Sequence, residues 1–454
     1  PPRSTLFPYT TLFRSGGFVI SRGPLVELAP VENAAMEDRT VIQWDKDDLE
    51  TLGLMKVDVL ALGMLSAIRR SLELIASWRG EPAFEMSRIP RGQKAVYDML
   101  CQADAMGVFQ VESRAQMSML PRLRPRCYCD LVVEVAIVRP GPIQGGMVHP
   151  YLEARARLAR HETISYPHPE LEPVLARTHG VPIFQEQVMQ LAMVAAGFTP
   201  GEADQLRRAM GAWGRQGELT RYQQKLTDGM LLRGYSKDFA DALCRQIQGF
   251  GSYGFPESHA ASFAHLVYVS AWIKCFHPAA FLCGLLNSQP MGFYGPSQLI
   301  QDARRHQVEV RPVDVTASDW ACTLEPSSPS SSTPPAARLG LRLVKGFQAS
   351  AAERIRTARQ IRPFVSVSDL ARRAALTPAE LECLATAGAL ARLAGNRHQA
   401  LWAAAGSQTP PGLLHAPPVE DPADACAALP APYETQDIIA DYARLGFSLG
   451  RHPL

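Results

Sequence analysis

The sequence predicts an α+β protein that is mostly α-helical. Residues 93–302 carry a mainly helical apolar pattern, interrupted by Pro/Gly loops such as RPGPIQGG and YGFPES. Residues 364–405 return to a helical pattern. Strand signals are confined to the stretches before and between these regions, at residues 16–62 and 308–343.

Length and composition limit the possible classes of protein. A chain of 454 residues is expected to form two to four domains. Its 46% apolar and 20% charged residues exclude a disordered chain. The net charge of +2 means that any nucleic-acid binding must come from local basic patches. No uncharged apolar run is long enough to cross a membrane, so no membrane interaction is expected.

The nine cysteines predict reduced thiols and a cytoplasmic location. The count is odd, and no CxxC pair occurs. Cys127 and Cys129 come nearest, but their spacing suits neither a zinc site nor a disulfide framework.

The first fifteen residues are expected not to be natural protein. Residues 5–15 read TLFPYTTLFRS, which back-translates to a widely used sequencing adapter. We therefore expect residues 1–15 to be translated adapter joined to a truncated gene, with no part in the fold.

The elements follow from local patterns along the chain. Residues 16–42 are rich in Val, Ile and turn residues, which predicts short strands. Apolar residues alternate in 54–62 (LMKVDVLAL), which predicts a strand, and 63–77 then show the spacing of an amphipathic helix. Strands are expected in 308–343, around a low-complexity Ser/Pro insertion. Thr377 and Glu380 have the spacing of a capping box.

Several catalytic motifs are missing or misplaced. Gly249, Gly251 and Gly254 form a GxGxxG string, but a helical pattern precedes it and no acidic residue follows where a ribose ligand should lie. A tight loop between helices is the better interpretation. The sequence also has no Walker A motif, no HExxH and no GxSxG, which disfavours P-loop ATPases, zincins and α/β-hydrolases.

Lys56 and Asp58 are charged residues inside an otherwise apolar strand pattern. Residues two apart on a strand share a face, so the cation and the carboxylate are expected side by side. The pattern leaves two alternatives open. One is an ion pair on an edge strand, and the other is a metal-binding carboxylate beside a phosphate-neutralising lysine. The acidic cluster at 45–50 more simply predicts a solvated turn.

Arginines cluster in two places. Residues 121–126 read PRLRPR, and Arg139 follows at the start of RPGP. Arg207 and Arg208 lie together near the end of a predicted helix. Guanidinium groups suit the oxygens of phosphates, although any single arginine is often only part of a solvated helix face.

Taken in order, the motifs resemble one family. MKVDVLALGML, GVFQVESRAQM, VEVAIVRPGPIQGGMVHPY, GVPIFQEQVMQLA, LRRAMGAWG and YGFPESHAASFAHL are similar to successive motifs of bacterial C-family DNA polymerases, the family of the DNA polymerase III alpha subunit. The resemblance covers nearly all of 16–454. ENAAMEDRTVIQWDKDDLE, ESRAQM and RRAMGAWG resemble the error-prone, damage-inducible branch rather than the replicative one.

The resemblance implies roles for particular residues. Asp58 matches the third carboxylate of a palm triad that holds two Mg²⁺ ions, and Lys56 matches a basic residue of that catalytic pocket. Arg207 and Arg208 match arginines near the triphosphate of the incoming nucleotide. The remaining candidates are expected to contact DNA: Arg122, Arg124, Arg126, Arg139, Asn396 and Arg397.

The resemblance also implies a domain order. It predicts a C-terminal palm remnant of nucleotidyltransferase type at 16–80, helical fingers at 81–310, a strand-rich connector at 311–350 and a helix-hairpin-helix region at 351–405. A Pro/Ala-rich linker and the start of a truncated domain are expected at 406–454. The first two palm carboxylates are expected upstream, so we expect this fragment to be inactive alone.

Partners follow from the same resemblance. Primer-template DNA and deoxynucleoside triphosphates are expected. Accessory proteins of a mutagenic complex are expected to provide indirect access to the sliding clamp, since no convincing clamp peptide occurs. A replicative alpha subunit and a non-enzymatic DNA-binding remnant stay open as alternatives.

Overall fold

The computed structural model describes residues 16–33, 40–44, 46–59, 61–164, 166, 168–211, 216–250, 256–327, 334–407 and 429–451. The chain forms two compact units, one made of residues 1–84 and 278–454 and the other of residues 85–277. Helices dominate both, which confirms the predicted mostly helical α+β class. Within the described ranges, no helix combines the length and apolar character that a membrane crossing requires.

The first unit begins with two small antiparallel sheets. Its opening elements are β1 (Gly16–Ile20), β2 (Val31–Asn33), β3 (Thr40–Ile42), α1 (Lys46–Thr51), β4 (Met55–Val59) and α2 (Leu62–Arg79). Strand β1 pairs with β4, and β2 pairs with β3. The strand predicted at 54–62 and the helix predicted at 63–77 are therefore both present.

The second unit is entirely helical in its described residues apart from turns and loops. Its α-helices are α3 (Lys94–Cys101), α4 (Arg114–Leu123), α5 (Tyr128–Ile137), α6 (Pro140–Gln144), α7 (Val148–Ala159), α8 (Glu172–Leu175), α9 (Gln185–Ala196), α10 (Pro200–Gly211), α11 (Gln216–Leu232), α12 (Lys237–Phe250) and α13 (Glu257–Phe276). Helix α13 packs against α3 and α5. Its run from Val267 to Lys274 is buried, since neighbours cover it on every side.

The chain then returns to the first unit. Its further elements are α14 (Pro278–Asn287), α15 (Pro296–Arg305), β5 (Val310–Arg311), β6 (Thr323–Glu325), β7 (Ala336–Arg338), α16 (Ala349–Ile361), α17 (Val367–Arg373), α18 (Pro378–Thr386), α19 (Ala391–Ala394), α20 (Arg397–Gly406) and α21 (Glu434–Arg444). Helix α14 packs closely on α2. A Cβ at Gly284 would lie 2.1 Å from the Ser71 Oγ, so this helix contact requires glycine.

The predicted strands at 308–343 form a three-stranded sheet in the order β5-β7-β6. Strand β7 runs parallel to β5 and antiparallel to β6. Residues 328–333 of the Ser/Pro insertion lie outside the described residues, as do residues 408–428 of the predicted Pro/Ala-rich linker and residues 1–15.

Helices α16–α20 fill the region where the helix-hairpin-helix was expected. The predicted capping box is present at the start of α18. The Thr377 N–H donates to Glu380 Oε2 at 2.8 Å, and the Glu380 N–H donates to Thr377 Oγ1 at 3.3 Å. The predicted boundaries at 80, 310, 350 and 405 stay predictions, although the all-helical unit ends at His277.

Candidate nucleic-acid interface

The two charged residues of the predicted catalytic strand lie on β4. In the β1–β4 ladder, Asp58 is opposite Gly17 and Lys56 is opposite Val19. The side chains of Lys56 and Asp58 are outside the described part of the structure, so their roles stay predictions. Helix α2 follows this strand directly.

Arg207 and Arg208 share one carboxylate partner on α10. Arg207 donates from Nε and Nη2 to Asp204 Oδ1, at 3.0 and 2.8 Å. Arg208 Nη2 lies 2.8 Å from the other oxygen, Asp204 Oδ2. The hydrogen bonds from Arg207, with the positive charge of Arg208, hold the pKa of Asp204 below its ordinary value. Asp204 therefore orients two adjacent cations, and Arg208 stays 74% exposed.

The predicted arginine cluster at 121–126 lies at the end of α4. Arg122, Arg124 and Arg126 are all exposed. Arg124 adopts a left-handed backbone conformation with φ of 51°, which ends the helix and turns the chain toward α5. Three cations are thus presented from one short segment.

A partly buried ion pair, Asp130 with Arg155, holds this segment in position. Asp130 Oδ1 and Oδ2 lie 2.5 and 2.8 Å from the two terminal nitrogens of Arg155. Arg155 also donates to the Arg124 carbonyl at 2.9 Å, and the Arg126 N–H donates to Asp130 at 2.7 Å. Burial raises the pKa of Asp130, but these hydrogen bonds outweigh it and hold the pKa below its ordinary value. The loop is therefore held at both its ends.

Arg139 is engaged within its own unit. Its Nε donates to the Val135 carbonyl at 3.1 Å, and its Nη2 donates to Gln110 Oε1 at 2.9 Å. These contacts tie the end of α5 to the loop before α4. The predicted DNA contact of Arg139 stays a prediction.

Asn396 caps helix α20. Its Oδ1 accepts from the Gln399 N–H at 3.0 Å, and its Nδ2 donates to the Leu429 carbonyl at 3.2 Å. Such a cap satisfies one of the four unpaired N–H groups at a helix start. The side chain of Asn396 is therefore occupied by the protein in this structure.

Arg397 lies beneath the hairpin turn between α18 and α19. It is only 11% exposed, and its Nη2 lies 2.6 Å from Asp441 Oδ1. Its Nη1 donates to both the carbonyl and the carboxylate of Asp437. The turn passes over this guanidinium at Gly388, where φ is 74° and a Cβ would come within 3.0 Å of Arg397 Nη2. Helix α21 is thus fastened to the hairpin.

Sequence reasoning missed the acidic partners of these arginines. Asp204 precedes Arg207 and Arg208 by three and four residues, a helical spacing that could have revealed it. Asp130 and Arg155 are 25 residues apart, and Arg397 and Asp441 are 44 apart, so no local pattern predicts those pairs.

Glu134 was also missed. It lies fully buried on α5, and neither carboxylate oxygen has a hydrogen-bond partner among the described residues. Burial raises the pKa of Glu134 to about 8. A carboxyl group in such surroundings keeps its proton at neutral pH.

Three family models match the chain in succession. The bacterial DNA polymerase III alpha NTPase domain matches residues 7–61, the finger domain of the same subunit matches 64–246, and a helix-hairpin-helix motif matches 307–400. The chain belongs to the bacterial DNA polymerase III alpha family. Membership confirms the resemblance that the motifs indicated. The first match begins inside the segment predicted to be adapter, and the origin of that segment stays a prediction.

Curated relatives within the DNA polymerase III alpha family are close. "Error-prone DNA polymerase" of Aromatoleum aromaticum (strain DSM 19018 / LMG 30748 / EbN1) is 64% identical over 99% of this chain. Proteins of the same name from Azoarcus sp. (strain BH72) and Methylococcus capsulatus are 64% and 61% identical, again over 99% of this chain. The chain spans only 42–44% of the length of these three relatives.

The matches assign family names to the structural regions. The NTPase match contains β4 with Lys56 and Asp58, and the finger match contains Arg207, Arg208 and the 121–126 cluster. The helix-hairpin-helix match contains Asn396 and Arg397. The matches name these segments, and the roles of the individual residues stay predictions.

Proposed function

We propose that this chain is part of an error-prone DNA-directed DNA polymerase, which adds deoxynucleotides to a primer during synthesis on damaged templates. The observation that carries the proposal is the 64% identity to a protein named error-prone DNA polymerase across 99% of the chain. We expect this reaction to take place in the cytoplasm, where the chromosome lies.

The proposed catalytic centre includes Asp58 and Lys56. Carboxylate oxygens are ligands that Mg²⁺ prefers, so the donor chemistry of Asp58 fits this ion. When bound, two Mg²⁺ ions supply charge stabilisation for the attacking and leaving oxygens. Lys56 would neutralise further negative charge, and two more carboxylates would come from the preceding part of the full-length protein.

The proposed nucleotide contacts are Arg207 and Arg208. Their shared attachment to Asp204 supports this role, because it limits the freedom of both guanidinium groups before a triphosphate binds. Exposed donors on Arg208 can then form charge-assisted hydrogen bonds with phosphate oxygens.

The proposed DNA contacts lie along the phosphate backbone. Arg122, Arg124 and Arg126 are exposed and held on a fixed loop, which supports sequence-independent phosphate binding. The other three residues are proposed to support DNA binding by holding loops and turns in position: Arg139, Asn396 and Arg397. Accessory proteins of a mutagenic complex would connect the enzyme to the sliding clamp.

The two alternatives differ from this proposal in testable ways. A replicative alpha subunit is less well supported, because the three relatives above all carry the error-prone name. If primer extension requires the upstream carboxylates, the isolated chain would be a DNA-binding module without catalysis. The helix-hairpin-helix match at 307–400 supports DNA binding by that isolated chain.

A chimaeric polymerase tests the proposal. Residues 16–451 would replace the matching segment of the Aromatoleum aromaticum enzyme, and primer extension would be measured with Mg²⁺ on intact and abasic templates. We expect extension by the chimaera and no extension by its Asp58→Asn variant, although that variant should still bind primer-template. An Asp48→Asn variant serves as an acidic control. Full activity of the Asp58→Asn chimaera would show that Asp58 is not a metal ligand needed for extension.

A further inference from the structure

Two partly buried arginines of the first unit converge on one carbonyl group. Arg70 lies on α2, and Arg342 lies in the short 3₁₀ turn Leu341–Leu343. The Nη1 atoms of both donate to the carbonyl oxygen of Asn287, the last residue of α14. Arg70 also contacts Ser288 Oγ at 3.0 Å, and Arg342 contacts the Gln289 carbonyl at 3.2 Å. The two guanidinium groups are therefore neighbours.

These two cations have no carboxylate partner among the described residues of the chain. Other partly buried arginines of the same unit do have one: Arg311 and Arg338 with Glu325, Arg354 with Glu380, Arg359 with Asp319, Arg373 with Asp369, and Arg397 with Asp441. Arg70 and Arg342 thus differ from these other partly buried arginines, each of which pairs with a carboxylate.

Carbonyl groups compensate only part of this positive charge. The end of a helix carries roughly half a negative charge, whereas the two guanidinium groups carry two positive ones. Burial lowers the pKa of Arg342, and the charge of Arg70 lowers it further. Like charges held together away from water are unfavourable unless an anion joins them.

We propose that Arg70 and Arg342 form a binding site for a phosphate group. Guanidinium groups bind phosphate oxygens through paired N–H donors, and two of them can hold one phosphate from two sides. The site goes beyond the proposed function, because neither residue is among the nucleotide or DNA contacts inferred above. The phosphate can belong to a nucleic-acid backbone or be a free phosphate ion.

Thermal unfolding of the purified chain tests the site without any need for activity. Melting temperatures would be measured in sodium phosphate and in sodium chloride of equal ionic strength. We expect phosphate to raise the melting temperature of the unaltered chain by about 3 °C more than chloride. Phosphate also stabilises proteins in general, because it is excluded from their surfaces. The part of the rise that is due to binding at this site is therefore measured as the difference between the unaltered chain and variants of the site.

Three variants isolate the contribution of the pair. Arg70→Gln/Arg342→Gln should lose most of the phosphate-specific rise, and Arg342→Gln alone serves if the double variant does not fold. Arg69→Gln is the matched control, since Arg69 is the adjacent residue of α2, is 63% exposed and pairs with Glu73. Arg69→Gln should keep the full rise. An equal rise in all variants would overturn the proposal, as would no specific rise in the unaltered chain.

DNA binding distinguishes the two phosphate sources. The affinity for a fluorescein-labelled duplex would be measured by anisotropy over a range of KCl concentrations. If the pair binds a backbone phosphate, the double variant should reduce the slope of log K against log [KCl] by about 0.9. An unchanged slope together with a lost phosphate effect would assign the site to free phosphate.

Discussion

Arg397 and Asp441 form a short ion pair, 2.6 Å between Nη2 and Oδ1, underneath the turn of the helix-hairpin-helix region. The pair joins α20 to α21, two helices separated along the chain by the predicted linker. Asp441 also accepts a hydrogen bond from Ser448 Oγ at 2.7 Å. In this structure Arg397 thus holds the turn, and its predicted contact with DNA stays a prediction.

Replacing Arg397 should therefore destabilise the protein. Arg397→Gln leaves the Asp441 and Asp437 carboxylates without their cation, and we expect a loss of about 3 kcal/mol in the free energy of unfolding. Urea denaturation followed by circular dichroism measures it. Arg451→Gln is the control, because Arg451 is 87% exposed and its pair with Glu434 is long, at 3.7 Å. The control should change stability by less than about 0.5 kcal/mol. Similar stability of the two variants would contradict the bracing role.

Asp437→Asn distinguishes bracing from competition with DNA. If Asp437 keeps Arg397 in the position that supports the turn, the variant should bind duplex DNA more weakly than the unaltered chain. If Asp437 instead occupies a phosphate-binding arginine, the variant should bind DNA more tightly. Fluorescence anisotropy with a labelled duplex measures the direction, and we expect the weaker binding because Arg397 is nearly buried.

Glu134 should make the stability of the protein depend on pH. Burial raises its pKa from 4.5 to about 8 in the folded state, so the folded protein keeps a proton that the unfolded chain releases. Its contribution to stability is therefore highest below about pH 4.5 and is lost as the pH rises to about 8. Stability should fall by about 1.4 kcal/mol per pH unit inside this window.

Glu134→Gln is the test of this dependence. Glutamine has nearly the same shape as glutamate and cannot ionise. The stability of the variant should therefore fall less between pH 5 and pH 8 than that of the unaltered chain. Urea midpoints at several pH values measure the difference. Parallel pH profiles for the two proteins would show that Glu134 is ionised or solvated in the folded state.

Arg208 should affect nucleotide binding in the chimaeric polymerase. Loss of a charge-assisted hydrogen bond to a phosphate costs about 1.5–3 kcal/mol, which corresponds to at least a tenfold rise in the nucleotide KM of Arg208→Ala. Steady-state single-nucleotide insertion measures KM and kcat separately. Arg160→Ala is a control, since Arg160 is exposed and forms a surface ion pair with Glu162. An unchanged KM and kcat for Arg208→Ala would leave Arg208 as a solvated surface residue.

The 121–126 arginines should determine part of the salt dependence of DNA binding. Replacing Arg122, Arg124 and Arg126 together by Gln should lower the slope of log K against log [KCl] by about 2.7 if each contacts one phosphate. Anisotropy titrations with the purified chain measure this slope. Arg157→Gln, at an exposed site paired with Glu153, should leave it unchanged. A triple variant with the original slope would exclude this loop from the DNA interface.

Local patterns in the sequence determined much of the secondary structure and the order of the motifs. The strand at Met55–Val59, the helix at Leu62–Arg79 and the capping box of Thr377 and Glu380 depend on residues close together in the chain, so periodicity and spacing predicted them. The family resemblance was also readable, because it depends on six motifs in a fixed order.

Only the tertiary structure decided which partners the charged side chains have. Arg397 with Asp441, Arg155 with Asp130, and Arg70 beside Arg342 are brought together by helices distant in sequence. Arginine therefore occupies three different surroundings: Arg122 is exposed, Arg397 is nearly buried against two carboxylates, and Arg342 donates to carbonyl groups beside Arg70. Burial and the distance to the nearest carboxylate set these differences, and both are properties of packing rather than of local sequence.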